Sequence, residues 1–387
     1  MSQSTPYTYL DYAASTPLDP QVFEAMKPYF FEQFGNASSV HRYGQFAEAA
    51  VSEAREEIAR CFGASQYQVV FTSGGTESDN LALRGVLAAR KAGGLPRILT
   101  TPVEHSAVLA TARKLAAEGL CQVDLAPVDR YGMVHPEEVR RALRPETALV
   151  SVIFANNEIG TINPIAEIGK VCREARVTFH SDAVQAAAHL EINTGDAAVD
   201  LLSIGAHKFY GPKGIGALLV APGINLTPQI SGGKQEDGLR AGTSSTPLMV
   251  GLAAALRLAR LDLVQRNSRL IELRDWLINK VLEKVDGAVL TGHPSQRLPN
   301  HTSFAFRGAD GNRLLMLLDA QGFACSSGSA CKVGNPAPSE VLMAMAFEPD
   351  WTLGGLRVTL GRETRPADLE RFVAVLPGLV DAARRKA

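Results

Sequence analysis

An alternation in the text constrains this chain more than any other feature. From about residue 45 to 245, short runs of β-branched and apolar residues give way in turn to stretches whose apolar residues recur three or four apart. Strand-length runs separated by helical text are what a parallel sheet with crossover helices requires. The runs read "VVFT", "RILTT", "ALVSVIF", "VTFHS", "DLLSI" and "GIGALLV". Between them, Gln45 to Arg60 carries alanine and apolar residues at helical spacing with Gly63 as its stop, and a second helix runs from Ser106 to Glu118 ahead of Gly119. From Thr246 to about Val285 the text is continuously helical. Beyond it come a strand "TSFAF", a helix "NRLLMLLDAQ", a short helix near Ser339 to Ala346, a strand "LRVTL" and a helix from Pro366. The spacing therefore predicts a large α/β domain, residues 15–258, and a small α+β domain made of residues 1–14 and 259–387.

With 387 residues, the chain is too long for one minimal core. Its 39 Lys and Arg balance 40 Asp and Glu, with no polybasic run, so no direct nucleic-acid ligand is expected. The start "MSQSTPYTYLDYAAST" lacks a basic region followed by an apolar one, and nowhere do about 18 apolar residues run on. A soluble, cytoplasmic protein without membrane contact is the expectation. Five cysteines, Cys61, Cys121, Cys172, Cys325 and Cys331, with no CxxC, suit free thiols in a reducing compartment and give no structural metal site.

Three motifs can carry chemistry. "FTSGGTESDN", residues 71–80, places glycines between a strand and a helix, either as an anion-binding turn or as an ordinary turn with Thr76 as helix cap. "FHSDAVQ" sets Asp182 and Gln185 just past one strand, and "LLSIGAHKFYGPKG" sets His207 and Lys208 past the next. Ligands gather at such strand ends in open α/β sheets. A phosphate cup, a lysine and a carboxylate together suit pyridoxal phosphate, with Lys208 and Lys213 both available for the Schiff base. His105 is open to stacking, to proton transfer or to capping a helix.

The chain resembles the NifS/IscS-type cysteine desulfurases, fold-type I pyridoxal phosphate enzymes of the class V aminotransferase-like family. "LDYAAST", "FGNASSVHRYG", "FTSGGTESDNLAL", "EHSAVL", "ANNEIGT", "HSDAVQAA", "AHKFYGPKGIGAL", "RAGTSS", "SSGSAC" and "LRVTLGR" stand in that family's order over nearly the whole chain. The resemblance implies a mostly parallel sheet of the seven-stranded type flanked by helices. It also implies that Lys208, not Lys213, binds the cofactor, that Asp182 pairs with its ring nitrogen, that Gln185 bonds its phenolic oxygen and that His105 stacks on the ring. Phosphate contacts then fall to Gly75, Thr76 and His207, with Thr243 supplied by the partner of a homodimer. Asn157 lies near ring and substrate, and Arg357 clamps the substrate carboxylate.

The implied reaction removes sulfur from L-cysteine, with Lys208 as base, His105 taking the thiol proton, and Cys331 keeping the sulfur as a persulfide for an iron–sulfur scaffold or another acceptor. A transient iron–sulfur cluster, if one binds, binds through Cys331. Selenocysteine lysis or another class V activity is the alternative, and a catalytically dead sulfur carrier predicts loss of Lys208, Asp182 or His105, all of which are present. Cys325 reads as a packing residue. Lys332 favours the thiolate or meets an acidic partner. The chain departs from the family's pattern at Gly205, where a hydroxyl residue is common, and at Gly75, Ala37 and "KVGNPAPSEVL" after Cys331.

Overall fold

A computed structural model describes residues 7–90, 94–327 and 338–384. Counted along the chain, β1 (Thr8–Tyr9) precedes β2 (Gln68–Thr72), β3 (Arg97–Thr100), β4 (Gln122–Leu125), β5 (Thr147–Ser151), β6 (Thr178–Asp182), β7 (Leu201–Gly205) and β8 (Gly216–Val220). The last seven form one sheet in the order β2-β8-β7-β6-β5-β3-β4. Pairing is parallel from β7 through β6, β5 and β3 to β4, and antiparallel only on either side of β8. Strands β7 and β8 bury every residue, as central strands covered on both faces must.

Six strands coincide with the apolar runs of the sequence. The seventh, β4, carries no such run, because it is an edge strand whose side chains are exposed or half-exposed. Arg97 Nη1 on β3 meets both carboxylate oxygens of Asp124 on β4 at 2.8 Å and helps hold that edge. The helix Arg42–Cys61 buries Ala47, Ala50 and Ala54 and packs against the helix Thr246–Leu261. The expected continuous helix to Val285 is broken at Asp262, which leaves helical geometry at φ −110°, ψ 12°. A short polar side chain is a poor interior helix residue, and this one instead accepts from Arg266 at 2.5 Å.

Beyond the break, β9 (Ala288–Leu290), β10 (His301–Phe306) and β12 (Gly355–Thr359) form an antiparallel sheet in the order β12-β10-β9, and β11 (Phe323–Ala324) pairs in parallel with β1. A second core gathers around Phe304, Phe306, Phe323 and Phe372 on this sheet and the helices Leu263–Lys284 and Pro366–Arg384. Leu10, from the N-terminus, belongs to that core. No helix among the described residues is long and apolar enough to cross a membrane.

Candidate active site

The parallel strands deliver their chemistry at their carboxyl ends, as open α/β sheets do. Strand β6 ends on Asp182, β7 leads through a 3-10 turn, Ala206–Lys208, to His207 and Lys208, and β3 leads to His105. Strand β2 turns at Gly74 into the helix Gly75–Ala89. Gly74 takes φ +153°, a conformation that other residues rarely adopt, and it is the helix cap. Thr76 therefore sits in the first turn and is not the cap. First-turn N–H groups lack acceptors within a helix and face an anion well.

These side chains meet. A cleft of about 360 Å³ is lined by Gly75, Thr76, His105, Asn157, Asp182, Gln185, His207, Lys208 and Arg357, together with Ala13, Ala14, Asp79, Ile153 and Val184. Thr243 does not line it and is exposed, although Arg240 nearby bonds Glu77 on the Gly75–Ala89 helix at 3.1 Å. Cys331 and Lys332 lie outside the described residues. Two described residues close to them in sequence are anchored beside the cleft. Ser326 Oγ donates to Asp11 at 2.7 Å, and Ser339 Oγ donates to Glu158, next to Asn157, at 2.9 Å. Cys325 packs against the second core, where burial pushes its thiol up.

Lys208 Nζ donates to the carbonyls of Ala13 and Ala14 at 2.6 and 2.9 Å. Burial, then the Arg357 guanidinium, bring its amine down to about 8, so a useful fraction is neutral near pH 7. Gln185 Nε2 donates to the same Ala13 carbonyl at 2.8 Å. His207 falls to about 4 through burial and the adjacent lysines 208 and 213. Burial, and the carboxyl of Asp79 beside it, raise Asp182, which accepts the Val184 N–H at 2.9 Å.

His105 does two things at once. It lines the cleft, and its Nδ1 accepts the Ala107 N–H at 3.2 Å as the cap of the helix Ser106–Ala117. A neutral ring that accepts at Nδ1 carries its proton on Nε2, so it is a donor there.

Sequence reasoning missed three acids. Asp79 lies in the cleft wall within 4.8 Å of His105 and Asp182, with its buried Oδ1 3.5 Å from His180 Nε2. Its signal was available, since it stands one helical turn after Gly75 and Thr76 and so shares their face. Glu104 is buried and accepts from Thr101 and Ile153 at 2.7 and 2.9 Å. Asp11 bonds Arg357 at 2.8 Å across 346 positions, which no local pattern announces.

An Aminotransferase class-V model matches residues 8–372, and the chain belongs to that family. Among curated proteins it is 44% identical to "Cysteine desulfurase IscS" of Dictyoglomus turgidum, over 97% of this chain and 95% of that one. It is also 44% identical to the "IscS-like cysteine desulfurase" of Mycobacterium tuberculosis, over 98% of both. Among solved structures, a "NifS-like protein" superposes with TM-score 0.90 at 32% identity, covering 97% of this chain and 100% of that one. "SspA in complex with cysteine" superposes at 0.80 with 35% identity, covering 91% and 98%.

Proposed function

We propose that this chain is a cysteine desulfurase that uses pyridoxal phosphate to convert L-cysteine to L-alanine and leaves the sulfur on Cys331. The observation that carries the reading is the convergence of Lys208, Asp182, His105, the Gly75–Thr76 turn and Arg357 on one cleft. The donor set fits the cofactor. Lys208 offers a buried amine with lowered basicity, the first helical turn offers N–H groups for a phosphate, and Asp182 offers a carboxyl for the ring nitrogen. Arg357 suits a substrate carboxylate, because it lines the cleft with its guanidinium oriented by the Asn157 carbonyl and Asp11, each of which takes only one N–H of Nη1 or Nη2.

When bound, the cofactor supplies an electron sink that lets the substrate α-carbon release its proton. Lys208, once displaced, is the amine that takes that proton. Asp182 keeps the ring nitrogen protonated. Gln185, whose Nε2 gives one N–H to the Ala13 carbonyl, would give its other to the cofactor's phenolic oxygen. His105 would stack on the ring and donate from Nε2, and taking the thiol proton instead would require it to release the Ala107 cap. The Cys331 thiolate then attacks the substrate sulfur. An S–S bond forms, the C–S bond breaks, and the β-carbon keeps the electron pair and gains a proton; with the α-carbon's proton returned from Lys208, the product leaves as alanine.

The reading includes a homodimer, to which Thr243 contributes across the interface. Exposed Phe23, Phe30, Phe31, Phe34, Val40, Tyr43 and Phe46, clustered in one early segment, support it. The division into residues 15–258 and the remainder is supported by the separate second core. Delivery to an iron–sulfur scaffold or other cytoplasmic acceptor completes the reading.

The test is the yield of alanine against sulfide from L-cysteine under reductant, with L-selenocysteine alongside. Equal yields that vanish in Cys331→Ala are expected. Undiminished sulfide release by that variant sinks the persulfide step, and activity confined to selenocysteine sinks the substrate.

A further inference from the structure

Arg357 sits on β12 between two backbone partners, Ser303 on β10 and Ser326 beyond β11. Its main chain exchanges bonds with Ser326, N to O at 2.7 Å and O to N at 3.3 Å. The side chain is gripped as well. Nη1 donates to the Asn157 carbonyl at 3.0 Å and Nη2 to Asp11 Oδ1 at 2.8 Å. A planar guanidinium held at two corners has one orientation, and because Arg357 lines the cleft, the N–H groups not used in those two bonds are what it offers an oxyanion there.

Asp11 does more than balance charge. While Oδ1 holds the guanidinium, Oδ2 accepts the Ser326 hydroxyl at 2.7 Å. One carboxylate thus closes a ring from the Arg357 side chain, through Ser326, back to the Arg357 main chain. The ring is largely out of water, with the Arg357 and Asp11 side chains 8% and 15% exposed. A buried charge that loses its partner reorients or is left uncompensated.

We propose that Asp11 is a positioning residue for the substrate carboxylate: it holds Arg357 in the orientation that presents its remaining N–H donors to the cleft and ties that orientation to Ser326. This rests on the assignment of Arg357 to the carboxylate under Proposed function. Asp11 acts through Arg357, so its effect falls on ligands that have a carboxylate and on no others.

The experiment uses the cofactor-loaded enzyme and two ligands, L-cysteine and cysteamine, which keeps the amine and thiol but lacks the carboxylate. Dissociation constants come from the change in the cofactor's visible absorbance, and KM and kcat come from sulfide release. Asp11→Asn is expected to raise KM and the dissociation constant for L-cysteine about 10-fold, with kcat within about 2-fold and cysteamine unaffected. Ser326→Ala, which leaves the ion pair in place, is expected to give about a 3-fold rise in the same two constants. Equal weakening of both ligands, or an unchanged or lower KM for L-cysteine, overturns the proposal. If the unmutated enzyme binds cysteamine as tightly as L-cysteine, the assignment of Arg357 fails and the proposal with it; failure of Asp11 alone leaves that discrimination intact. Should Asp11→Asn not accumulate as folded protein, Ser326→Ala decides by the same criteria.

Discussion

The floor and the mouth of the cleft treat charge in opposite ways. On the floor, burial moves groups toward neutrality: Asp79 and Glu104 rise above the usual carboxylate range, and His180 falls to about 4. Hydrogen bonding there is incomplete as well: Glu104 Oε2 has no partner, and Asp79 Oδ1 has only the His180 ring at 3.5 Å. At the mouth, Arg357 and Asp11 stand as an ion pair at 2.8 Å, with Ser326 and the Asn157 carbonyl bonded to them. Both depth and countercharge separate the two regions: Asp79, Glu104 and His180 are fully buried without a cation, whereas Asp11, Asn157 and Ser326 are half-buried around a guanidinium. A floor with spare hydrogen-bonding capacity suits a group that brings its own charge. A mouth whose guanidinium is already oriented suits selection of a ligand that has a carboxylate.

The largest effect expected from breaking this contrast is on the floor. Lys208→Ala removes both the attachment point and the base, so sulfide release should fall by about 10⁴-fold or more. Borohydride should no longer fix the cofactor to the protein. Retained fixation would move the attachment to another lysine.

Asp182→Asn keeps the shape of the site and removes a charge from it. Turnover should fall by about 10² to 10³-fold, with a shift in the cofactor's visible absorbance and little change in KM for L-cysteine. A rise in KM alone would mean that floor and mouth are not separable.

The pH dependence of cofactor capture sharpens the floor further. Lys208 is lowered to about 8, and the neutral amine is the form that attacks an aldehyde. Its neutral fraction grows as pH rises through 8. Capture by cofactor-stripped protein should therefore be half-maximal near pH 8, and at pH 7 on the order of 10²-fold faster than an ordinary lysine allows. Stopped-flow absorbance against pH reads this directly, and a midpoint near 10 would contradict the burial argument.

What was legible in the sequence followed the same division. Strands β5 to β8 announced themselves because burial on both faces demands continuous apolar text, and the strand-end rule brought Asp182 and Lys208 toward one cleft. Strand β4 did not, since an edge strand has no need of apolar residues. Nor did the break at Asp262, a single residue inside text of uniform periodicity. The floor was partly readable because its residues sit within a few positions of strand ends. At the mouth the resemblance supplied Arg357 and Asn157, but not their joining to Asp11 and Ser326, because the four come from distant segments and meet only through tertiary folding.

The smallest expected effect concerns Gly205, the last residue of β7. Its backbone is extended, at φ −142° and ψ 123°, so glycine is not needed for conformation. A Cβ placed there lies 3.4 Å from the Gly75 nitrogen and 3.6 Å from Val184 Cγ1, ordinary contact distances without a clash. Gly205→Ser therefore fits, and its hydroxyl arrives beside the first turn of the Gly75–Ala89 helix. With phosphate bound it donates to a phosphate oxygen, and without it the same oxygen accepts the Gly75 N–H, so neither state buries an unpaired hydroxyl. One added neutral-to-anion hydrogen bond is worth about 1 kcal/mol, a roughly 5-fold slower loss of cofactor on dilution. Since the change lies on the floor, KM for L-cysteine should stay where it was. Faster cofactor loss would mean that the cup is already full at Gly205, and that the glycine is there to make room for the phosphate.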